Sequence, residues 1–115
     1  IAATSPDGIN WTQRTLPVST NWRGIAWNGS VFCAVSYSSN IALTSPDGQN
    51  WTQRTLPVSA SWYAIVWNGS VFCSVSYSSN IAATSPDGQN WTQRTLPVSA
   101  SWQAIAAQYL QFGTY

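Results

Sequence analysis

The side chains able to do chemistry are few and evenly spaced. The acids are Asp7, Asp47 and Asp87, the cations are Arg14, Arg23, Arg54 and Arg94, and the 115-residue chain has no Glu, Lys or His. Two thiols, Cys33 and Cys73, complete the set. A pair of acids cleaving a glycosidic bond must stand about 5–10 Å apart. Acids that recur every forty residues are dealt out one to each structural unit instead. General acid–base work near neutral pH needs a group tuned to that range, and a zinc-type site needs clustered His, thiolate or carboxylate ligands. We therefore expect no catalytic residues, no metal and no cofactor. Cys33 and Cys73 hold the same place in successive repeats. Equivalent points on stacked sheets lie about 10 Å apart, beyond the roughly 7 Å between Cα atoms that a disulfide spans. Both read as small buried hydrophobes.

Ser5 to Trp11, Ser45 to Trp51 and Ser85 to Trp91 are near-copies of one stretch, Ser-Pro-Asp-Gly-x-Asn-Trp. A fixed period of this length decides a fold before any finer signal does. One full unit runs from Trp22 to Pro57. Trp22–Trp27 reads as a strand, and Asn28-Gly29 is a hairpin signal in which both turn residues accept positive φ. Val31–Tyr37 is the return strand, apolar almost throughout, as when both sheet faces are covered. Ser38-Ser39-Asn40 reads as a polar connection and Ile41–Thr44 as a third strand. Ser45-Pro46-Asp47-Gly48 turns the chain, Trp51–Leu56 is a fourth strand, and Pro57–Ser61 leads into the next unit. Asp47 is placed to accept bonds from its own downstream amides, and Gly48 to take positive φ. No helical periodicity interrupts these short strands.

The frame Ala-Ile-Val-Trp-Asn-Gly-Ser-Val-Phe-Cys, followed by Ile-Ala-Ala-Thr-Ser-Pro-Asp-Gly-Gln-Asn-Trp-Thr, resembles the Asp-box (BNR) blades of sialidase-like β-propellers in bacterial and phage repeat proteins. The box is compressed, with Pro46 and Gly48 flanking the acid. The resemblance implies an all-β propeller of four-stranded blades, in which Ser5, Asp7, Gly8, Trp11, Ser45, Asp47, Gly48, Trp51, Ser85, Asp87, Gly88 and Trp91 are structural box residues. It covers nearly the whole chain, as residues 1–17 (half a blade), 22–57, 62–97 and 102–115 (a second half). Sialidase activity would add an arginine triad, a tyrosine backed by Glu and an acid/base Asp. Glu is missing, and Arg14, Arg54 and Arg94 fall on the outermost strand of each blade. A closed β-trefoil of three repeats is the alternative fold.

Three blades do not make a ring, since propellers use about four to eight. An open stack leaves apolar faces and strand edges bare. We expect closure by a second copy, with the C-terminal half of one chain completing the N-terminal half of its neighbour; two chains give six blades and three give nine. The C-terminal half departs from its siblings, with Ala107 for Trp27 and Gln108-Tyr109-Leu110 for the Asn-Gly-Ser turn, while Phe112 keeps the register of Phe32 and Phe72. In a propeller the first strands line the channel, which puts Arg23, Tyr63 and Gln103 there, three equivalent positions that differ in an otherwise repetitive chain. Tyr37, Tyr77, Asn40 and Asn80 flank the face opposite the boxes. These seven residues are the candidate ligand set, suited to neutral glycans. A net charge of +1 with 6% charged residues offers no basic face to nucleic acid or membrane, and no apolar run approaches the length of a membrane span. The function expected is that of a non-catalytic, amplified or designed repeat protein that self-associates, with a multivalent lectin or phage-tail-like adhesin as the alternative.

Overall fold

The structure, a computed structural model, describes residues 1–37 and 39–107. It is all-β. Ten strands are described: β1 (Ala2–Thr4), β2 (Thr12–Arg14), β3 (Trp22–Trp27), β4 (Phe32–Ser36), β5 (Ser39–Ser45), β6 (Thr52–Ala60), β7 (Trp62–Trp67), β8 (Phe72–Ser76), β9 (Ser79–Ser85) and β10 (Thr92–Ala100). They form three separate antiparallel sheets: β1-β2, the meander β3-β4-β5-β6, and the meander β7-β8-β9-β10. Each repeat thus pairs its strands with one another, so the strands do not share the single closed barrel of a trefoil. Residues 101–107 carry no strand, unlike the first strand expected at Trp102. The second strand expected around Phe112 lies outside the described residues.

The sheets approach each other at their first strands. β3 lies against β7, and the outer strands β6, β9 and β10 touch far less. β3 and β7 pass close at Gly24, where an added Cβ would lie 3.2 Å from Ile65 Cγ2 and 3.3 Å from the Ile65 backbone nitrogen. Between the two large sheets sits a core of Cys33, Val35, Ala42, Leu56, Trp62, Ile65, Phe72 and Ala83. Cys33 is buried, and Cys73 is only half-buried.

Two local readings are corrected. The hairpin after β3 turns on Gly29 and Ser30, one residue later than expected. Asn28 N–H donates to Val31 O at 3.2 Å, and Gly29 has φ +97° while Asn28 has no positive φ. Asn28 instead serves through its side chain, whose Oδ1 accepts the Ser30 and Val31 amides at 2.8 Å each. The second correction concerns Pro57–Ser61, read as a connection. Pro57 to Ala60 belong to β6, and Ser39 and Asn40 belong to β5. The register jumps from Ile41↔Thr55 to Ser39↔Ala60, so residues 56–59 bulge opposite Asn40. A bulge tolerates a proline that has no N–H for the ladder. It also turns Leu56 into the core.

Candidate functional site

Each Ser-Pro-Asp-Gly-x-Asn-Trp stretch, called a box below, is a closed hydrogen-bonded turn. In the second copy Asp47 Oδ1 accepts the Gln49 and Asn50 amides at 2.8 Å each, and Asn50 Nδ2 donates to Oδ2 at 2.8 Å. Ser45 Oγ donates to Asp47 Oδ1 at 3.1 Å and accepts the Gly48 amide at 2.8 Å. Trp51 Nε1 donates to Gly48 O at 2.9 Å and lays the indole across the turn. Asp7 and Asp87 repeat the pattern. Both oxygens of all three carboxylates are engaged inside their own turns. The asparagine of the motif, at 10, 50 and 90, is a box member that the sequence reading passed over, although it stands unchanged in all three copies. Behind each box an Arg Nε donates to a Thr hydroxyl across the sheet: Arg14 to Thr4, Arg54 to Thr44 and Arg94 to Thr84 at 2.9, 3.0 and 3.1 Å.

Amide donors stabilise the ionised acid. The Asn10 and Ile9 amides hold Asp7 well below the usual carboxylate range, and the Asn50 and Gln49 amides do so for Asp47. Asp87 is lowered to about 2, chiefly by the Asn90 amide, with partial burial opposing. A depressed folded-state pKa contributes stability that is fully present above the unfolded value of 3.8 and is lost as pH falls towards the folded one. Thermal melts should therefore be flat from neutral pH to about 4 and fall steeply between about 4 and 2. Asp87→Asn should shrink that acid-limb drop and leave the others. A melt that does not change down to pH 2 would refute the role given to the boxes. Burial pushes the Cys33 thiol up to about 12, Arg54 opposing, and raises Cys73 for the same reason.

At the end of the sheets away from the boxes, the structure gathers four of the seven candidate ligand residues. Arg23 and Tyr63 sit at β-bulges: Trp22 pairs with Ser36 and Gly24 with Val35, and Trp62 pairs with Ser76 and Ala64 with Val75. The extra residue of a bulge is released from the ladder and its side chain is re-aimed. The Arg23 guanidinium carbon stands 5.3 Å from the Tyr37 ring centroid and 5.4 Å from that of Tyr63. The Tyr37 and Tyr63 rings meet edge to face at 6.3 Å, and Tyr63 and Tyr77 lie 5.7 Å apart. The result is an arc, Arg23–Tyr37–Tyr63–Tyr77, that crosses the seam between the two large sheets. Gln103 holds the next equivalent position, on the strandless stretch, and is exposed. Asn40 and Asn80 are exposed strand residues of β5 and β9. The bulge itself was not visible in the sequence; its one trace was the variation at 23, 63 and 103.

Two apolar-lined openings lie beside β1-β2. One cavity of about 290 Å³ is lined by residues including Ile1, Leu16, Trp22, Ile25 and Trp51. Its neighbour of about 320 Å³ includes Ala3, Trp11, Phe32 and Gly48. Ile25 is 58% exposed here, while its equivalent Ile65, covered by β3, is 7% exposed. Comparison with protein-family models, with curated proteins and with solved structures returned no match.

Proposed function

We propose that the chain is a non-catalytic repeat protein, amplified or designed from one Asp-box unit, whose working form is a closed β-propeller of two copies. Three copies, giving nine blades, are the larger version of the same design. The observation that carries this reading is the half-sheet β1-β2. Its siblings have four strands each, and the place of its two inner strands is the apolar opening where Ile25 stands bare. Residues 102–115 have the sequence register of those inner strands, and a second copy brings them without unwinding the first. Burying that opening removes exposed apolar surface from water, at about 25 cal/mol per Å². A chain that assembles in this way is stabilised by mass action. Its melting temperature should rise with chain concentration over the micromolar range. A melting temperature independent of concentration across a hundredfold dilution would count against the assembly.

The arc favours a second reading, a multivalent binder of neutral glycans. Tyr rings offer flat apolar platforms with polar tips, loops and strand ends on a rigid scaffold are common binding points, and repetition around a ring multiplies weak contacts by avidity. A glycan array probed with the assembled protein tests it. Binding that disappears in Tyr63→Ala supports the arc as a sugar site, and silence across all neutral sugars removes this reading.

A further inference from the structure

One contact is built twice inside the chain. An added Cβ on Gly48 would stand 2.9 Å from Thr4 Cγ2, and one on Gly88 would stand 2.9 Å from Thr44 Cγ2 and 3.6 Å from Cys33 Sγ. Each time, the backbone of one sheet's box turn is seated on a strand threonine of the sheet before it, and at Gly88 the Cys33 thiol lies alongside. At the two ends of the chain the halves of this contact stand apart. Gly8, in the first box, has no atom within 4 Å of its Cβ position. Thr84 is half-exposed, while Thr44 is 4% exposed. Trp11 is 63% exposed, while Trp51 and Trp91 are half-buried. Cys73 is less buried than Cys33.

The geometry points to a trans contact in which the Ser5–Trp11 turn of one copy seats on the Thr84 and Cys73 face of a second copy. It rests on the self-association reading and adds which surfaces meet. The two surfaces differ, so the contact is head-to-tail, the kind that yields a ring where the rotation closes and a filament where it does not. Gly8 takes the place of Gly88, and Thr84 and Cys73 take the places of Thr44 and Cys33. No new chemistry is required, because the same residues already form the seam between β3–β6 and β7–β10. The box acid stays within its own turn throughout.

The test is a directed cross-link. In a Gly8→Cys, Cys33→Ser, Thr84→Ser chain, repetition of the internal seam puts the new Cβ near 3.6 Å from Cys73 Sγ, as for Gly88 and Cys33, and the serine removes the methyl group that would stand 2.9 Å away. From that Cβ–Sγ separation the new thiol, one bond further out, can reach the Cys73 sulfur at the roughly 2 Å of a disulfide. Mild oxidation with diamide should convert most chains to reductant-sensitive multiples between chains. Gly29→Cys, Cys33→Ser, a second exposed positive-φ turn glycine, should stay uncross-linked. Independently, Thr84→Lys should weaken association at least tenfold with unchanged β-sheet circular dichroism. A chain that keeps free thiols, or that bridges only within itself, overturns the contact, as does a Thr84→Lys chain that associates normally. Light scattering on the unaltered chain separates the two levels. Multimers that do not cross-link sink this contact but leave assembly standing, and a monomer sinks both.

Discussion

Gly88→Val is expected to cost about 3–5 kcal/mol, and Gly8→Val only about 1–2, although the two glycines occupy the same place in the same motif. Both have positive φ, +81° and +77°, a region in which a β-branched residue is strained by about 1–3 kcal/mol. The difference lies in what surrounds them. At Gly88 the new side chain starts 2.9 Å from Thr44 Cγ2, with Cys33 Sγ and Phe72 Cε2 each at 3.6 Å. Overpacking of this sort adds about 1–3 kcal/mol, and relief requires one whole sheet to back away from the next. Gly8 meets open space. Urea titrations of the two variants, run at a dilution where light scattering shows single chains, read the difference. Equal losses would mean that box glycines serve the turn alone and that the seam between sheets carries little.

Trp62→Ala is the second large effect, at about 3–5 kcal/mol. Trp62 is 0% exposed and belongs to the core shared by both large sheets. Its Nε1 donates to Val58 O at 3.3 Å, so the indole also pins the preceding bulge of β6. Removing it leaves a cavity that a meander held at both sides cannot collapse. Trp102 makes the same bond, to Val98 O at 3.2 Å, but is only half-buried, so Trp102→Ala should cost about 1 kcal/mol in a dilute chain. Trp22 differs again: its indole nitrogen is buried without a partner among the described residues. Trp22→Phe removes that orphaned donor and should leave stability within about 1 kcal/mol of the parent. Chemical denaturation orders the three, and a Trp62→Ala loss no greater than that of Trp102→Ala would contradict the core described here.

What was legible in the sequence is what local chemistry dictates. β3 matches the expected Trp22–Trp27 residue for residue, because a strand bounded by a polar linker and an Asn-Gly turn carries its own limits. The box turns follow from a short acid ahead of a glycine. The features that escaped depend on a neighbour. Pro57 looked like a break, yet β6 continues through it because a bulge opposite Asn40 removes the need for its N–H. Arg23 and Tyr63 are re-aimed by bulges that a pattern of residue types does not reveal. Gly24, where its siblings have Ala64 and Ala104, is small because β7 crosses at that point. The candidate ligand set shared this limit. Its members on the seam came together, while Asn40, Asn80 and Gln103 were chosen by loop composition or by repeat position alone.

Ile25, Trp11 and Thr84 are more exposed than their equivalents in the neighbouring repeats, and the proposed assembly covers them with a second copy. The solution mass of the unaltered chain, taken by light scattering at micromolar concentration, tests this most directly. Particles of two copies of the 12.5 kDa chain, or of three, are expected. A stable, folded particle of a single copy would contradict it.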